Sequence, residues 1–218
     1  MPNKANPIKP LLLPLGDSAL LIKFGDTLTQ AANVAAIATA RLLSAHQPPG
    51  AMEIVPGLVS VLVRYDRAKT QLNTLRGEVR LLLERETGPP EEPIKHRVTV
   101  TFDGDDLAEV TRLLGLSRDE FVSRHDRPLR VLATGFAPGF VYCGLHDGGF
   151  TVPRRTAVRP HVPAGTVLFA ARQTAIASTP IRTGWHVIGR TSFQNFIATA
   201  DPPTKLRPGD LVQFEDAS

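Results

Sequence analysis

The spacing of apolar positions changes several times along the chain, and each change marks an element. Ser18 to Phe24 (SALLIKF) predicts a strand, whereas Thr29 to His46 is rich in Ala and Leu with apolar residues at helical spacing and stops at Pro-Pro-Gly. Two short strands follow, around Met52 to Val55 and Val59 to Tyr65, joined at Pro56-Gly57. A second helix is predicted from Thr70 to Glu86, then the segment TGPPEEP, the best linker in the chain, then an alternating strand from His96 to Phe102. The order β-α-β-β-α-β fits a ferredoxin-like unit, with the last strand free to belong to either side of the linker.

Beyond the linker, Asp105 to Leu114 and Ser117 to His125 predict two short helices, and Ser117 with Glu120 three residues later makes a capping box. From Leu129 the helical period vanishes. Short apolar runs (LRVLAT, GTVLFA, QTAIAS, WHVIGRT, LVQFE) alternate with Pro and Gly turns at the spacing of a β-barrel or sandwich. The fold class is therefore α+β, with an N-terminal α/β domain over residues 1–90 and a C-terminal β domain over residues 91–218.

Composition narrows the function. The chain has 218 residues, 42% hydrophobic and 21% charged, as an ordinary globular protein does. The first residues carry an apolar patch broken by Pro14, too short for a signal-peptide core or a membrane span. With the single Cys143, which has no partner for an internal disulfide, this predicts a cytoplasmic protein with no membrane role. The formal net charge is +4, yet between Gly148 and Ala200 there is no Asp, Glu or Lys, and Arg154, Arg155, Arg159, Arg172, Arg182 and Arg190 all fall there. Guanidinium groups bind carboxylate or phosphate through a planar fork, so the segment predicts an anion site, unless acids elsewhere in the chain pair with it. Nucleic acid is not predicted, because the aromatics do not interleave with a basic stripe.

The chemistry-bearing stretches are few. TGFAPGFVYCGL, Thr134 to Leu145, has nucleotide-loop glycine spacing but neither Gly-Lys-Ser/Thr nor G-x-G-x-x-G, so it is not a phosphate loop. The six histidines show no ligand spacing, and no metal site is predicted. Cys143, near His146, is read as a buried structural residue in preference to a nucleophile; His125 is read as a helix cap; His161, between Arg159 and Pro163, is a candidate contact for an anion or polar ligand.

Several motifs in order, LSRDEFVSRH, GFAPGFVY, VPRRTAVRPHVPAGTV, Gln173-Thr174, GWHVIGRT and RPGDLVQF, preceded by GDSALLIKFGD and VPGLVSVLVRYD, resemble the Kip-inhibitor family, also known as allophanate hydrolase subunit 1 or the B-type subunit of prokaryotic 5-oxoprolinase. The resemblance implies a cyclophilin-like β-barrel for the C-terminal domain. It implies membership of a complex that cleaves 5-oxoproline to glutamate at the expense of ATP, the partners being an allophanate hydrolase subunit 2-like protein and a barrel-type A subunit. Competing implications are a regulatory binding protein that inhibits a histidine kinase, and a subunit of an allophanate- or urea-processing enzyme. The chain departs from the family's Tyr-Leu-Gly-Gly-Leu at Tyr142-Cys143-Gly144-Leu145-His146, and from its Tyr-Pro and Ser-Pro-Gly-Gly-Trp between Ala177 and Trp185.

In a barrel reading, Gly135 and Gly139 admit backbone angles and approaches that a side chain would block, and the loop is a corner beside a pocket. Phe136, Pro138, Phe140, Tyr142 and Trp185 are the expected wall. Arg154, Arg155, Arg159, His161 and the Gln173-Thr174 turn are the expected holders of a substrate carboxylate or phosphorylated intermediate. No catalytic residue is assigned.

Overall fold

The computed structural model describes residues 8–84 and 92–217, in two compact units, Met1–Glu92 and Pro93–Ser218. The linker TGPPEEP and the last two residues of the predicted second helix lie mostly or wholly outside the described residues.

The first unit contains β1 (Leu11–Leu15), β2 (Ala19–Lys23), α1 (Gln30–His46), β3 (Ala51–Pro56), β4 (Ser60–Tyr65) and α2 (Leu72–Glu84). Its sheet is antiparallel in the order β1-β2-β4-β3. Alternation in β2 and β4 turns Leu20, Ile22, Val61, Val63 and Tyr65 inward, where they meet Ala36, Ala40 and Leu43 of α1 and Leu75, Val79 and Leu82 of α2. The Thr29 hydroxyl accepts from the Ala32 N–H at 3.2 Å and so satisfies one of the donors left open at the start of α1.

One strand is left open by the order of elements. The β-α-β-β-α-β order allows His96–Phe102 as the fourth strand of this unit, whereas the linker before it allows it in the second; it forms β5 (Lys95–Val100) of the second unit, parallel to the final strand. Leu11–Leu15 takes the edge beside β2 instead. The alternation of His96–Phe102 specifies a strand and says nothing of its neighbour, because pairing is decided by which sheet edge the chain reaches.

The second unit continues with α3 (Leu107–Leu114), α4 (Arg118–Ser123), β6 (Leu129–Thr134), β7 (Val141–Gly144), β8 (Arg159–Val162), β9 (Thr166–Ala170), β10 (Gln173–Ala177), β11 (Ile181–Thr183), β12 (His186–Arg190) and β13 (Leu211–Asp216). Seven strands form one sheet, β12-β9-β10-β7-β6-β13-β5, and β8 and β11 pair separately. The large sheet curls until its ends meet: Thr101 and Arg190 exchange backbone hydrogen bonds of 2.9 and 3.0 Å. Gly189 makes that approach possible, since a Cβ there would collide with the Thr101 carbonyl oxygen. The interior holds Val98, Val131, Val141, Cys143, Phe169, Ile176 and Phe214, with Phe121 of α4 packed in. The capping box at α4 is present: the Ser117 hydroxyl accepts from the Glu120 N–H at 3.2 Å, and the Glu120 carboxylate accepts from the Ser117 N–H at 2.7 Å.

Candidate functional site

Strand alternation divides the candidate residues of the second unit between two faces of the curled sheet. Tyr142 of β7 and Ala175 and Ala177 of β10 belong to a cluster outside the main interior, with Phe140, Leu168 and Trp185. Cys143 and Ile176, their immediate neighbours in the strands, belong to the interior.

On the outer face the aromatics form a connected row. Phe136 meets Phe140 edge-on at 5.5 Å between ring centres, Phe140 meets Tyr142 at 4.8 Å, and Tyr142 meets Trp185 at 5.9 Å. Phe140 and Trp185 are buried, Tyr142 is half-buried, and Phe136 is 72% exposed, so the row runs from packed core to solvent. Gly139 turns the loop at φ 67, and a Cβ there would press on Cβ of Phe196 and of Ser178. Pro138 lies beside it in the same loop, exposed. Arg154 places its guanidinium 5.7 Å above the Trp185 ring, a cation–π contact. Burial raises the Tyr142 phenol above its ordinary value, partly opposed by the charge of Arg154.

The arginine segment is acid-free only along the chain. Asp106, buried at the start of α3, accepts from Arg159 Nη2 at 2.6 Å and Nε at 3.2 Å, from Arg155 Nη1 at 2.6 Å and from the Val187 N–H at 2.8 Å. Glu109 and Asp105 add contacts of 3.3 and 3.4 Å to Arg155 and Arg159, and Arg190 pairs with Asp103 at 2.9 Å. Burial by itself raises the Asp106 carboxyl, but the Arg159 hydrogen bonds, the Val187 N–H and the charges of Arg159 and Arg155 outweigh it and hold the group below the ordinary carboxylate value. The charge that the sequence leaves open on Arg155 and Arg159 is thus met by α3. Arg154, Arg182 and His161 stay exposed, and no ion pair joins them to an acid among the described residues.

Gln173 and Thr174 do not form a turn. The turn is Ala171-Arg172, both left-handed at φ 49 and 64, and Gln173 and Thr174 begin β10. Gln173 is buried with Oε1 unpartnered, its amide nitrogen reaching the Ala171 carbonyl at 3.4 Å. Thr174 is fully buried and faces inward, where its hydroxyl lies 3.0 Å from His125 Nε2 and 2.8 Å from His146 Nε2. The other nitrogen of His125, Nδ1, is 3.0 Å from the Phe121 carbonyl, the helix-cap contact the sequence suggests. His146 escapes sequence reasoning because 28 residues separate it from Thr174. Cys143 is buried in the interior, and burial pushes its thiol well above the ordinary range, which removes the thiolate a nucleophile needs. Among the described residues no three His, Cys, Asp or Glu side chains gather as a metal site, and no helix is long and apolar enough to cross a membrane.

Residues 10–206 match the family described as carboxyltransferase domain, subdomain C and D. The chain belongs to this family, that of the Kip inhibitor and allophanate hydrolase subunit 1. It is 32% identical over 215 residues to the 5-oxoprolinase B subunit of Bacillus subtilis, covering 92% of this chain and 90% of that one. With the 5-oxoprolinase B subunit of Escherichia coli O157:H7 it shares 34% over 172 residues, 76% of this chain and 78% of the relative. The crystal structure of TTHA0988 superposes at TM-score 0.80 with 33% identity over 92% of this chain, which spans only 40% of that longer protein. The Kluyveromyces lactis urea carboxylase shares the fold, at TM-score 0.77 and 17% identity over 100% of this chain and 23% of its own.

Proposed function

We propose that the chain is the B-type subunit of an ATP-dependent 5-oxoprolinase, part of a hydrolase complex that opens 5-oxoproline to glutamate. The observation that carries this reading is the 32% identity to the 5-oxoprolinase B subunit of Bacillus subtilis, which extends over nine-tenths of both chains. In this reading the second unit is a cyclophilin-like β-barrel, a view supported by the meeting of its edges at Thr101 and Arg190, and the first is a ferredoxin-like sheet whose edge strand is Leu11–Leu15.

The complex would be completed in the cytoplasm by an allophanate hydrolase subunit 2-like protein and a barrel-type A subunit. ATP use is assigned to the assembly, and no residue of this chain is assigned to ATP. The outer face supplies what a shared anion site requires: Arg154, its guanidinium over Trp185, with Arg182 and His161 exposed on the same segment. Arg155 and Arg159 act as positioning residues, because their guanidinium groups hold the segment to Asp106. Gln173 lies on the Ala175 side of β10 and supports this face, whereas Thr174 faces the interior.

Purified together with the two partners, the chain should support ATP-dependent glutamate release from 5-oxoproline, and none should occur without it. Arg154→Ala should lower that activity while the far-UV spectrum stays unchanged. Turnover of allophanate or a urea-like amide but not 5-oxoproline would move the assignment to those substrates. Isolation with a histidine kinase and no such partners would move it to regulation.

A further inference from the structure

Between the end of α4 and the segment after β7 lies a cleft of about 490 Å³, lined by Ser123, Arg124, Arg127, Leu145, His146 and Phe150 among others. It opens from the interior face of the sheet, whose β7 and β10 carry Tyr142 and Ala175 on the opposite side. Arg124 sits 5.3 Å over the Phe150 ring, and Arg127 lies 3.6 Å from Asp147, an exposed pair that an incoming anion can displace.

The hydrogen bonds behind the cleft fix what His146 offers to it. Only a donor can face the Phe121 carbonyl, so His125 carries its proton on Nδ1, and its Nε2 accepts. Thr174 has one hydroxyl proton and gives it to that Nε2. The Thr174 oxygen then accepts from His146, which therefore carries its proton on Nε2. Nδ1 of His146 is left as a bare acceptor with no partner among the described residues, on a ring that lines the cleft. Burial lowers His125 to about 4; burial, then the charges of His125 and Arg172, lower His146 to about 2, so both rings are neutral at pH 7 and Nδ1 accepts a hydrogen bond without taking the proton.

A fixed neutral acceptor beside two guanidinium groups is complementary to a ligand that carries a weakly acidic N–H close to a carboxylate. We propose that the cleft binds a small amido acid, its amide N–H donated to Nδ1 of His146 and its carboxylate held by Arg124 and Arg127. The site follows from these residues; the choice of 5-oxoproline as a probe rests on the function proposed above.

The full chain, with 15N-labelled histidine, would be titrated with 5-oxoproline, with N-carbamoylglycine and with 1-methyl-5-oxoproline, which keeps the carboxylate but has no N–H. Binding would be followed by calorimetry and by the ring-nitrogen signals. At least one of the two N–H acids should bind and move the Nδ1 signal of His146. The N-methyl compound should bind about tenfold more weakly than 5-oxoproline if the latter binds, as loss of one hydrogen bond to a buried acceptor requires. Arg124→Ala with Arg127→Ala, both surface changes that leave the interior intact, should weaken binding of either N–H acid by about tenfold or more. The site is overturned if neither N–H acid moves the Nδ1 signal, if the N-methyl acid binds as tightly as 5-oxoproline, or if the double variant binds like the unaltered chain. Turnover of 5-oxoproline by the complex with no response at His146 would remove this site and leave the function standing. Binding of N-carbamoylglycine alone, with no turnover of 5-oxoproline, would keep the site and remove the function.

Discussion

Arg159 holds Asp106 with two nitrogens, Nη2 on Oδ1 at 2.6 Å and Nε on Oδ2 at 3.2 Å, across 53 residues of chain. Asp106 occupies the N-cap position of α3, yet its side chain makes no cap hydrogen bond; its oxygens go to Arg155, Arg159 and Val187. This carboxylate therefore joins α3 to the β8 segment and to β12.

Asp106→Asn should destabilise the chain by about 2–4 kcal/mol, since two guanidinium groups would lose the charge that compensates their partial burial. Arg159→Lys should cost about 1 kcal/mol, because an ammonium cannot reproduce the two-point contact. Urea unfolding at pH 7 measures both. The pH dependence has a definite sign: the folded-state carboxyl is depressed, so its contribution is fully present above the ordinary value of 3.8 and is lost as pH falls through the lower folded value. The gap between Asp106→Asn and the unaltered chain should close in that acid range.

Thr174→Val keeps the shape but leaves both histidine Nε2 atoms without a partner, and should cost about 2–3 kcal/mol. Thr174→Ser keeps the hydroxyl and should lose about 1 kcal/mol or less, the effect of one methyl group. A Thr174→Val variant as stable as Thr174→Ser in thermal unfolding would show that the shared hydroxyl contributes nothing.

Both histidines have folded-state values below the ordinary 6.5, chiefly through burial, so the unfolded chain binds protons first as pH falls. Stability should decline from about pH 6.5 downward, by roughly 3 kcal/mol through His125 alone once pH 4 is reached. Urea midpoints between pH 7.5 and pH 4.5 test this; a flat profile would contradict the buried, neutral pair.

Cys143 should resist thiol reagents in the folded chain and react stoichiometrically in denaturant, because it is buried and its thiol is pushed upward. Rapid labelling of the native protein, followed by a colorimetric thiol reagent, would refute the assignment of Cys143 as an inert interior residue.

Much of the fold is visible along the chain because its causes are local. The α1 boundary follows from Thr29 and from the Ala and Leu spacing, the α4 start from Ser117 and Glu120, and the strands from two-residue alternation. The aromatic row from Phe136 to Trp185 is equally visible as a set of residues, and Gly139 marks its corner. What alternation leaves open is the partner: His96–Phe102 is a strand in either unit until the sheet edges are known.

The sequence by itself determined helices α1 to α4, most of the strands though not β1, β7, β8 or β11, the family, and the absence of acids from Gly148 to Ala200. Tertiary structure decided the electrostatics. Asp106 lies about fifty residues before the arginines it neutralises, and His125, His146 and Thr174 come from three separate segments to share one hydroxyl. Charge pairing and hydrogen bonding act through distances of about 3 Å in space, which sequence separation does not encode, whereas helix caps and strand alternation act between near neighbours in the chain.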